Sequence, residues 1–324
     1  MSKGIILHTH GGPEVLTWED ISVGKPGPGQ VLLRQTAIGL NFIDVYHRTG
    51  LYPVTLPGSI GSEAVGVIEE VGDGVTDLKV GQRVGYAAGA PGAYVEKRIL
   101  SADRLVVIPD DIDDKTAASI LLQGMTTEYL LERTFKVKKG DTILLHAAAG
   151  GVGLIATQWA KSLGAIVIGT VGSAAKADLA KAHGADHVID YSKEDFVARV
   201  KEITGGKGVP VVYDSVGKDT FAKSLDCLSP LGLMVLFGAS SGPVPDFNLS
   251  ILAGKGSLYV TRPTLGTYTA TAEALRTCAD RLFAQIKSGV VKPNIGQTYK
   301  LSEAAQAHID LEARKTTGSS VLLA

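Results

Sequence analysis

The stretch with the clearest chemical meaning is HAAAGGVG, which occupies positions 146–153 of the 324-residue chain. Ala147, Gly150 and Gly153 follow the pattern A-x-x-G-x-x-G, a variant of the dinucleotide fingerprint G-x-G-x-x-G. Its small residues permit a tight turn, the approach of backbone N–H groups to a pyrophosphate, and close packing of helix on strand. An apolar strand pattern, TILLH, precedes the turn and an apolar helix pattern, LIATQWAKSLG, follows it. The stretch therefore predicts a pyrophosphate site, whereas His146 is expected to be structural.

The end of the next predicted strand indicates which dinucleotide binds. NAD-selective sites usually carry an Asp or Glu about 20 residues after the fingerprint, where it binds the ribose 2′-OH. Here the segment reads GTVGSAAKAD, with no acid at positions 170–173 and with Lys176 one turn into the next helix. Small residues at a helix N-terminus accept phosphate oxygens, and a lysine supplies charge. NADPH is therefore predicted, and Tyr191 is either near the adenosine end or a core tyrosine.

A second cluster of polar residues lies in NFIDVYHRTGLY, which predicts a helix. Asn41 can serve as its N-cap, Asp44 follows three residues later, and Gly50 can end it. Asn41 is either an N-cap alone or also a ligand-binding amide, because the side chain holds both a donor and an acceptor. Tyr46 and Tyr52 are either pocket residues or core aromatics.

Composition excludes several classes of function. The formal net charge is −1 and no run of five like charges occurs, so a nucleic-acid or membrane-surface footprint is not expected. No leader pattern and no apolar stretch of about 20 residues is visible, which predicts a cytoplasmic location. With only two cysteines, seven scattered histidines and no HExxH or CxxC, no metal site is expected. Cys227 and Cys278 are expected to be buried apolar residues.

The elements that must position these residues form two predicted domains. Residues 1–122 alternate short β-branched runs with glycine and proline, which is typical of a mostly-β barrel or sandwich. Residues 123–263 alternate apolar strands with helices, including a helix over DTFAKSLDCLSPLG, and predict a doubly wound parallel α/β sheet. Residues 264–324 hold too few elements for a core of their own and are expected to return to the first domain.

Four segments give the chain a family resemblance. GDTILLHAAAGGVGLIATQWAK, NFIDVYHRTGLYP, GSEAVGVIEEVG and YDSVG resemble the quinone oxidoreductase (zeta-crystallin-like) branch of the medium-chain dehydrogenase/reductase superfamily, from end to end. The resemblance implies a GroES-like catalytic domain, a Rossmann domain, an active site in the cleft between them, and a homodimer joined at the Rossmann sheets. Zinc-dependent relatives carry Cys and Gly-His-Glu where this chain has Asn41 and Ser62, which agrees with the expected absence of metal.

The resemblance also implies roles for individual residues. Around the nicotinamide and substrate it places Asn41, Phe42, Ile43, Asp44, Tyr46 and Tyr52, and around the nicotinamide also Ser215, Phe237, Gly238, Ser240, Thr261 and Arg262. It places Gly151 and Val152 on the pyrophosphate, and Gly172, Ser173, Lys176 and Tyr191 on the adenosine phosphate. Thr127 is expected to contact the cofactor, and Arg314 to lie within reach of it.

The expected activity is zinc-independent reduction of a quinone by NADPH. A quinone that accepts hydride gains negative charge on oxygen, so Asn41, Tyr46, Tyr52 or Arg262 is expected to donate to it. Arg262 could instead pair with a surface acid. Two alternatives stay open at this stage: reduction of an activated alkene such as an enone, and a non-enzymatic NADPH-binding protein with a structural or RNA-associated role.

Overall fold

The computed structural model describes residues 2–324, which divide into two compact units. The first comprises the chain up to Met125 together with Tyr268–Phe283 and Pro293–Ala324. The second comprises Thr126–Thr267 and Ala284–Lys292. Residues 284–292, which the sequence placed in the return segment, thus belong to the second unit. The domain boundaries after residues 122 and 263 stay predictions.

The strands of residues 2–324 are short and come in three sheets. In chain order they are β1 (Ser2–Ile6), β2 (Thr17–Ile21), β3 (Gln30–Leu40), β4 (Glu63–Val71), β5 (Arg83–Ala87), β6 (Lys97–Ser101), β7 (Val106–Val107), β8 (Thr142–Leu145), β9 (Ile166–Val171), β10 (His187–Asp190), β11 (Val209–Asp214), β12 (Leu228–Leu236), β13 (Tyr259–Thr261), β14 (Ile295–Lys300) and β15 (Ser319–Leu323).

The helices lie mostly in the second half of the chain. In order they are α1 (Phe42–Thr49), α2 (Asp114–Ala118), α3 (Leu121–Tyr129), α4 (Gly151–Ser162), α5 (Ala174–Ala182), α6 (Phe196–Ile203), α7 (Phe221–Ser224), α8 (Ser250–Gly254), α9 (Leu265–Tyr268), α10 (Ala272–Lys287) and α11 (Ala304–Glu312). Among residues 2–324, no helix is long and apolar enough to cross a bilayer.

The first unit is built around β3. A seven-stranded sheet has the order β14-β15-β3-β4-β5-β7, and β6 also pairs with β3. The last strand of the chain, β15, runs antiparallel to β3, with Ser320 opposite Leu40. Strand β3 ends at Leu40, where both β15 and β4 pair with it. Helix α1 begins two residues later and therefore starts between these two neighbouring strands.

The second unit is a six-stranded parallel sheet with the order β10-β9-β8-β11-β12-β13. The chain moves outward from β8 through β9 and β10, then returns to β11 on the other side of β8. Strand order therefore reverses between β8 and β11, and such a switch point is where open α/β sheets bind ligands at the carboxyl ends of their strands. The predicted doubly wound fold is confirmed.

One predicted element is wrong. The helix expected over DTFAKSLDCLSPLG is a single turn, α7, followed by a 3₁₀ turn over Leu225–Cys227, and β12 begins at Leu228. Pro230 lacks the N–H that a helix interior needs, and Leu231 has a φ of 60°, outside the right-handed helical region. Leu225 and Cys227 thus belong to the 3₁₀ turn that follows α7, and Leu228 is the first residue of β12.

Candidate functional site

The carboxyl edge of the parallel sheet gathers eight of the predicted cofactor residues. They are Gly172 after β9, Tyr191 after β10, Ser215 after β11, Phe237, Gly238 and Ser240 after β12, Thr261 at the end of β13, and Arg262 after it. Parallel strands bring their carboxyl ends to one edge, so residues far apart in sequence share that edge. The family resemblance implied these residues, and the strand order explains why they share one edge.

The glycine-rich turn joins β8 to α4 by a close backbone approach. A Cβ added at Gly153 would lie 2.2 Å from the carbonyl oxygen of Ala147 and 2.7 Å from the carbonyl carbon of Ala148. Both atoms are backbone, so only glycine fits there without moving the turn. A Cβ at Gly150 would meet that Ala147 oxygen at 3.3 Å, which is far less restrictive. Ala147 has a φ of 54°, the left-handed region that usually requires glycine.

The first turn of α4 is suited to an anion. Gly150 occupies its N-cap in an extended conformation and supplies no side-chain cap. In the part of the chain that the structure describes, the N–H groups of Gly151 and Val152 have no acceptor. Free N–H groups at a helix N-terminus and the helix dipole together favour a phosphate oxygen. The N–H donors of Gly151 and Val152 and the close packing at the turn are therefore suited to binding a pyrophosphate group.

The turn after β9 has the features predicted for the 2′-phosphate. Ser173 is the N-cap of α5 and its hydroxyl accepts from the Lys176 backbone N–H at 3.4 Å. A Cβ at Gly172 would lie 2.6 Å from the Tyr191 hydroxyl, so this ring lies against the glycine. The Tyr191 side chain is 40% exposed and is therefore not a core residue. Lys176 is half-buried in the first turn of α5.

His146 is a structural residue, as predicted. The ring is 2% exposed and its nitrogens lie 2.8 Å from the Thr170 hydroxyl and 2.9 Å from the Ser224 hydroxyl. Burial lowers its pKa, although the nearby Asp214 carboxylate opposes this. Both nitrogens are thus engaged inside the second unit, and the neutral ring is favoured.

The remaining predicted residues of the second unit have varied surroundings. Arg262 is exposed and its Nη1 donates to the Leu236 carbonyl at 3.0 Å. Thr127 is fully buried in α3. The backbone N–H of Phe237 donates to the Asp214 carbonyl at 2.8 Å. Arg314, which belongs to the first unit, is exposed with a φ of 57°. Their cofactor contacts stay predictions.

In the first unit, α1 starts at a buried amide. Asn41 is 7% exposed and occupies the N-cap position of α1. Its Nδ2 donates to Glu63 Oε1 at 2.6 Å, and its Oδ1 accepts from Gln123 Nε2 at 3.2 Å. Gln123 Oε1 in turn accepts from the Ser319 hydroxyl at 2.6 Å. Asn41 is therefore a capping residue whose side chain is also held by two other elements.

The Glu63 carboxylate is completely buried at the start of β4. Its Oε2 accepts from the Leu122 backbone N–H at 2.7 Å, while Oε1 accepts from Asn41. Burial raises its pKa to about 8; the bonds from Asn41 and Leu122 lower it, and the nearby Asp44 carboxylate raises it. Such a perturbed group beside a candidate ligand-binding amide is typical of functional sites.

Asp44 is held by a second set of donors. Its carboxylate accepts from the Asn41 backbone N–H at 2.9 Å, the Ser62 hydroxyl at 2.8 Å and the Tyr94 hydroxyl at 3.1 Å. Burial raises the pKa of Asp44 to about 6, against the effect of these donors. Both carboxylate oxygens thus stabilise the start of α1, and the expected cofactor contact of Asp44 stays a prediction.

Behind Tyr94 the hydrogen bonds continue to a buried arginine. The Tyr94 oxygen lies 3.1 Å from His308 Nε2, and His308 Nδ1 lies 3.0 Å from Arg48 Nη1. Burial and the Arg48 charge lower the pKa of His308 to about 3. Arg48 is 1% exposed and pairs with Glu312 through two bonds of 2.8 and 2.9 Å. This network ties α1 to α11.

An aromatic group follows on α1. Tyr46 is 7% exposed, and its ring centre lies 6.2 Å from that of Phe42 and 5.2 Å from that of Tyr52. Ile43, Phe42 and Tyr52 are half-buried. The predicted pocket residues of NFIDVYHRTGLY are therefore neighbours in space.

Both cysteines are buried, and residues 2–324 contain no cluster of side chains suited to a metal ion. Cys227 and Cys278 are 0% and 1% exposed and unbridged, so the prediction of buried residues is confirmed. Burial raises the pKa of the Cys227 thiol to about 12. Over residues 2–324, no group of three or more His, Cys, Asp and Glu is arranged to hold a metal ion.

Sequence reasoning missed the residues that hold Asn41 and Asp44. These are Glu63, Gln123, Ser319, Tyr94, His308 and Arg48. Glu63 alone had a local signal, since it stands beside Ser62 in the block GSE. The others are 50 to 260 residues from their partners, as with Tyr94 and Asp44 or Arg48 and His308.

Two family models match the chain. The alcohol dehydrogenase GroES-like domain matches residues 27–110, and the zinc-binding dehydrogenase family matches residues 151–280. The predicted combination of a GroES-like domain with a Rossmann-type sheet is thereby confirmed.

Individual proteins resemble the chain over its whole length. A Pseudomonas aeruginosa protein named quinone oxidoreductase is 56% identical over 324 residues, covering 100% of both chains. The Escherichia coli quinone oxidoreductase solved in complex with NADPH superposes with a TM-score of 0.98 at 51% identity, covering 99% of this chain and 100% of that one. A 2-haloacrylate reductase from Burkholderia sp is 47% identical, covering 100% of this chain and 99% of its own.

The glycine turn generates a direct test. Gly153→Ala is expected to lower the free energy of unfolding by about 1–3 kcal/mol, because the new methyl group overlaps backbone atoms. NADPH affinity should fall with it, since the turn must move. Gly150→Ala, whose methyl group has more room, is the matched control for stability and should lower the free energy of unfolding by less than half as much. Urea unfolding measures the two stabilities and NADPH fluorescence titration measures the affinity of Gly153→Ala; equal losses of stability in the two variants would contradict the packing argument.

Proposed function

Since the chain belongs to the quinone oxidoreductase family, we propose that it catalyses the zinc-independent reduction of a quinone by NADPH. NADPH, a proton and the quinone give NADP⁺ and the hydroquinone. The observation that carries the cofactor choice is the turn after β9, where no acid stands between Thr170 and Ser173. A carboxylate there would repel a 2′-phosphate.

The second unit supplies the groups that would hold NADPH. Gly151 and Val152 would donate backbone N–H groups to the pyrophosphate, at the start of a helix that close packing at Gly153 keeps near β8. Ser173 and Lys176 would bind the 2′-phosphate, with Tyr191 beside them at Gly172. When bound, the cofactor supplies a hydride from its nicotinamide.

The protein must stabilise the oxygen that gains charge. Asn41 is the best supported donor of the four predicted, because its amide is held in place and is not completely enclosed. Tyr46 and Tyr52 lie close to each other on the same segment and can add hydroxyl donors. Arg262 donates from Nη1 to the Leu236 carbonyl, which holds the side chain at the end of β12. Solvent can supply the one proton that the hydroquinone needs besides the hydride.

Zinc independence rests on the donor set. An amide and a hydroxyl stand at Asn41 and Ser62, and both are hydrogen-bonded to carboxylates of the unit. Structural and catalytic zinc sites use Cys, His and carboxylate ligands. The chain therefore has hydrogen-bond donors where zinc-dependent relatives have ligands.

An activated alkene is the second candidate substrate. The 2-haloacrylate reductase among the similar proteins is named for the reduction of such an alkene. Hydride addition to an enone also places charge on an oxygen, so the same donors would serve it. The cytoplasmic location and the absence of a nucleic-acid partner stay predictions.

We further propose that the protein is a homodimer joined through β13. This strand lies at the edge of the parallel sheet, and Tyr259 and Val260 are 60% and 38% exposed on it. An exposed apolar edge strand offers unpaired backbone groups and favours pairing with a second strand.

The activity is tested by following NADPH absorbance with a panel of quinones and enones, before and after exhaustive chelation. Turnover with quinones that survives chelation is expected. The proposal fails if turnover disappears and added zinc restores it, or if only enones are reduced.

The phosphate site is tested by Lys176→Ala. The variant should bind NADPH roughly 10- to 150-fold more weakly, since a charge-assisted contact is worth about 1.5–3 kcal/mol, while NADH binding should change little. Lys181→Ala, on an exposed position of the same helix, is the matched control and should leave both affinities unchanged. An equal loss for NADPH and NADH would contradict the assignment.

The dimer is tested by Val260→Asp, which puts a charge on the edge strand. Sedimentation equilibrium should show a dimer for the unchanged protein and a monomer for this variant. Val107→Asp, on the exposed edge strand of the other sheet, is the control and should remain dimeric. A wild-type monomer, or dissociation by the control alone, would exclude this interface.

A further inference from the structure

A buried histidine bridges the two strands at the switch point of the parallel sheet. His146 follows β8, and its ring nitrogens lie 2.8 Å from the Thr170 hydroxyl at Nδ1 and 2.9 Å from the Ser224 hydroxyl at Nε2. Ser224 Oγ in turn lies 3.4 Å from the Asp214 carboxylate at the end of β11. The four side chains are 2% exposed or less and belong to the second unit. Side-chain contacts thus connect β8 to β11, between which the strand order reverses.

The Ser224 hydroxyl determines the direction of this bridge. A serine hydroxyl has one hydrogen, and Ser224 Oγ faces two acceptors, the Thr220 carbonyl at 2.9 Å and the Asp214 carboxylate at 3.4 Å. Because the hydrogen must serve these acceptors, His146 Nε2 has to donate to Ser224. Nδ1 then carries no hydrogen and accepts from the Thr170 hydroxyl. In this neutral tautomer each hydrogen of the bridge has an acceptor.

Asp214 shapes the turn that follows β11. Its Oδ1 accepts from the backbone N–H groups of Val216 at 2.7 Å and Gly217 at 3.1 Å. Its Oδ2 accepts from the Thr220 hydroxyl at 2.7 Å. Side-chain bonds of an aspartate to the backbone just after it fix the conformation of a turn. Ser215, one of the residues expected at the nicotinamide, lies inside this turn and is therefore placed by Asp214.

The loop after β12 is attached to the same turn. The Ser240 backbone N–H donates to the Ser215 carbonyl at 3.1 Å. A Cβ added at Gly238 would lie 2.5 Å from that carbonyl oxygen, so the two backbones are in direct contact. Ser215, Gly238 and Ser240 are all expected around the nicotinamide. A movement of the turn after β11 would therefore displace them together.

We infer that His146 is a positioning residue for the nicotinamide half of the cofactor, because its Nε2–H holds the turn after β11 against β8. This rests on the proposed function, in which the segments after β11 and β12 surround the nicotinamide. The adenosine phosphates would be bound on the other side of the switch point, at the starts of α4 and α5. On that side the Ala148 backbone N–H donates to the Thr170 carbonyl at 3.0 Å, a bond that does not involve the imidazole. The two halves of the cofactor site can therefore be weakened separately.

The first test replaces the ring by each of two amides. The amide of His146→Gln reaches the position of Nε2 and can donate to Ser224, whereas the shorter amide of His146→Asn reaches that of Nδ1 and can accept from Thr170. Each variant loses one of the two bonds, so both should melt below the wild type. Only His146→Asn loses the bond that holds the turn after β11.

Calorimetric titration with NADPH and with 2′,5′-ADP, which has no nicotinamide, separates the variants. In His146→Asn the Kd of NADPH should rise about tenfold, equivalent to one hydrogen bond, while that of 2′,5′-ADP changes less than about twofold. His146→Gln should bind both ligands within about threefold of the wild type. A role in stability alone would not divide the two ligands or the two variants in this way.

The second test removes the acceptor of the same bond. Ser224→Ala should reproduce His146→Asn, with weaker binding of NADPH and unchanged binding of 2′,5′-ADP. Thr204→Val is the matched control, because the Thr204 hydroxyl also donates to the carbonyl four residues earlier, at 2.8 Å, and accepts one N–H, from Gly208 at 3.1 Å. Thr204 precedes β11 and so lies at the opposite, amino edge of the sheet. Its variant should lose stability but keep both affinities.

The tautomer gives an independent spectroscopic signature. In ¹⁵N NMR spectra of histidine-labelled protein, His146 should carry its proton on Nε2 and none on Nδ1 at neutral pH. The signal is assigned by its disappearance in His146→Gln.

Three results would overturn the inference: a proton on Nδ1, equal losses of NADPH and 2′,5′-ADP affinity in His146→Asn, or wild-type NADPH affinity in Ser224→Ala. If His146→Asn does not fold, Ser224→Ala decides with the same two ligands. A wild type that binds NADPH but reduces no quinone would refute the proposed activity by itself, and the binding measurements would still decide the role of His146.

Discussion

The burial of two carboxylates at the start of α1 is the constraint on which the first unit depends. Asp44 and Glu63 are both 0% exposed, and no arginine or lysine contacts either of them in the described chain. An isolated buried charge is expensive, so N–H and O–H donors must converge on each. The donors are Asn41, Ser62, Tyr94 and Leu122, which come from four separate segments of the first unit.

The second unit meets a simpler requirement. The proposed pyrophosphate site would use backbone N–H groups at the start of α4, so the sequence must mainly provide small residues there. Gly153 allows α4 to approach β8, and Gly172 leaves room for the Tyr191 hydroxyl. Position 147 holds an alanine although its φ of 54° lies in the left-handed region. The start of α1 in the first unit is thus held by side-chain hydrogen bonds, whereas the glycine turn of the second unit depends on close backbone packing.

This difference explains what could be predicted from sequence. The glycine turn, the missing acid after β9 and the alternation of strands and helices are local patterns, and they were enough for the fold class and the cofactor. The error at DTFAKSLDCLSPLG was also local: apolar spacing was given more weight than Pro230, which belongs to β12. In contrast, Asn41 meets Gln123 across 82 residues, and Gln123 meets Ser319 across 196. No spacing rule links such positions before the sheet order is known.

The two hydrogen-bond chains that reach α1 differ in how their direction is set. The chain from Arg48 begins with a group that can only donate, so His308 must accept at Nδ1 and carry its proton at Nε2. Tyr94 then accepts from His308 and donates to Asp44, whose ionised carboxylate fixes the other end. Protonation of Asp44 leaves that direction unchanged, because Arg48 still imposes it. The chain through Asn41 runs instead from the Ser319 hydroxyl, which can donate or accept, to the carboxylate of Glu63.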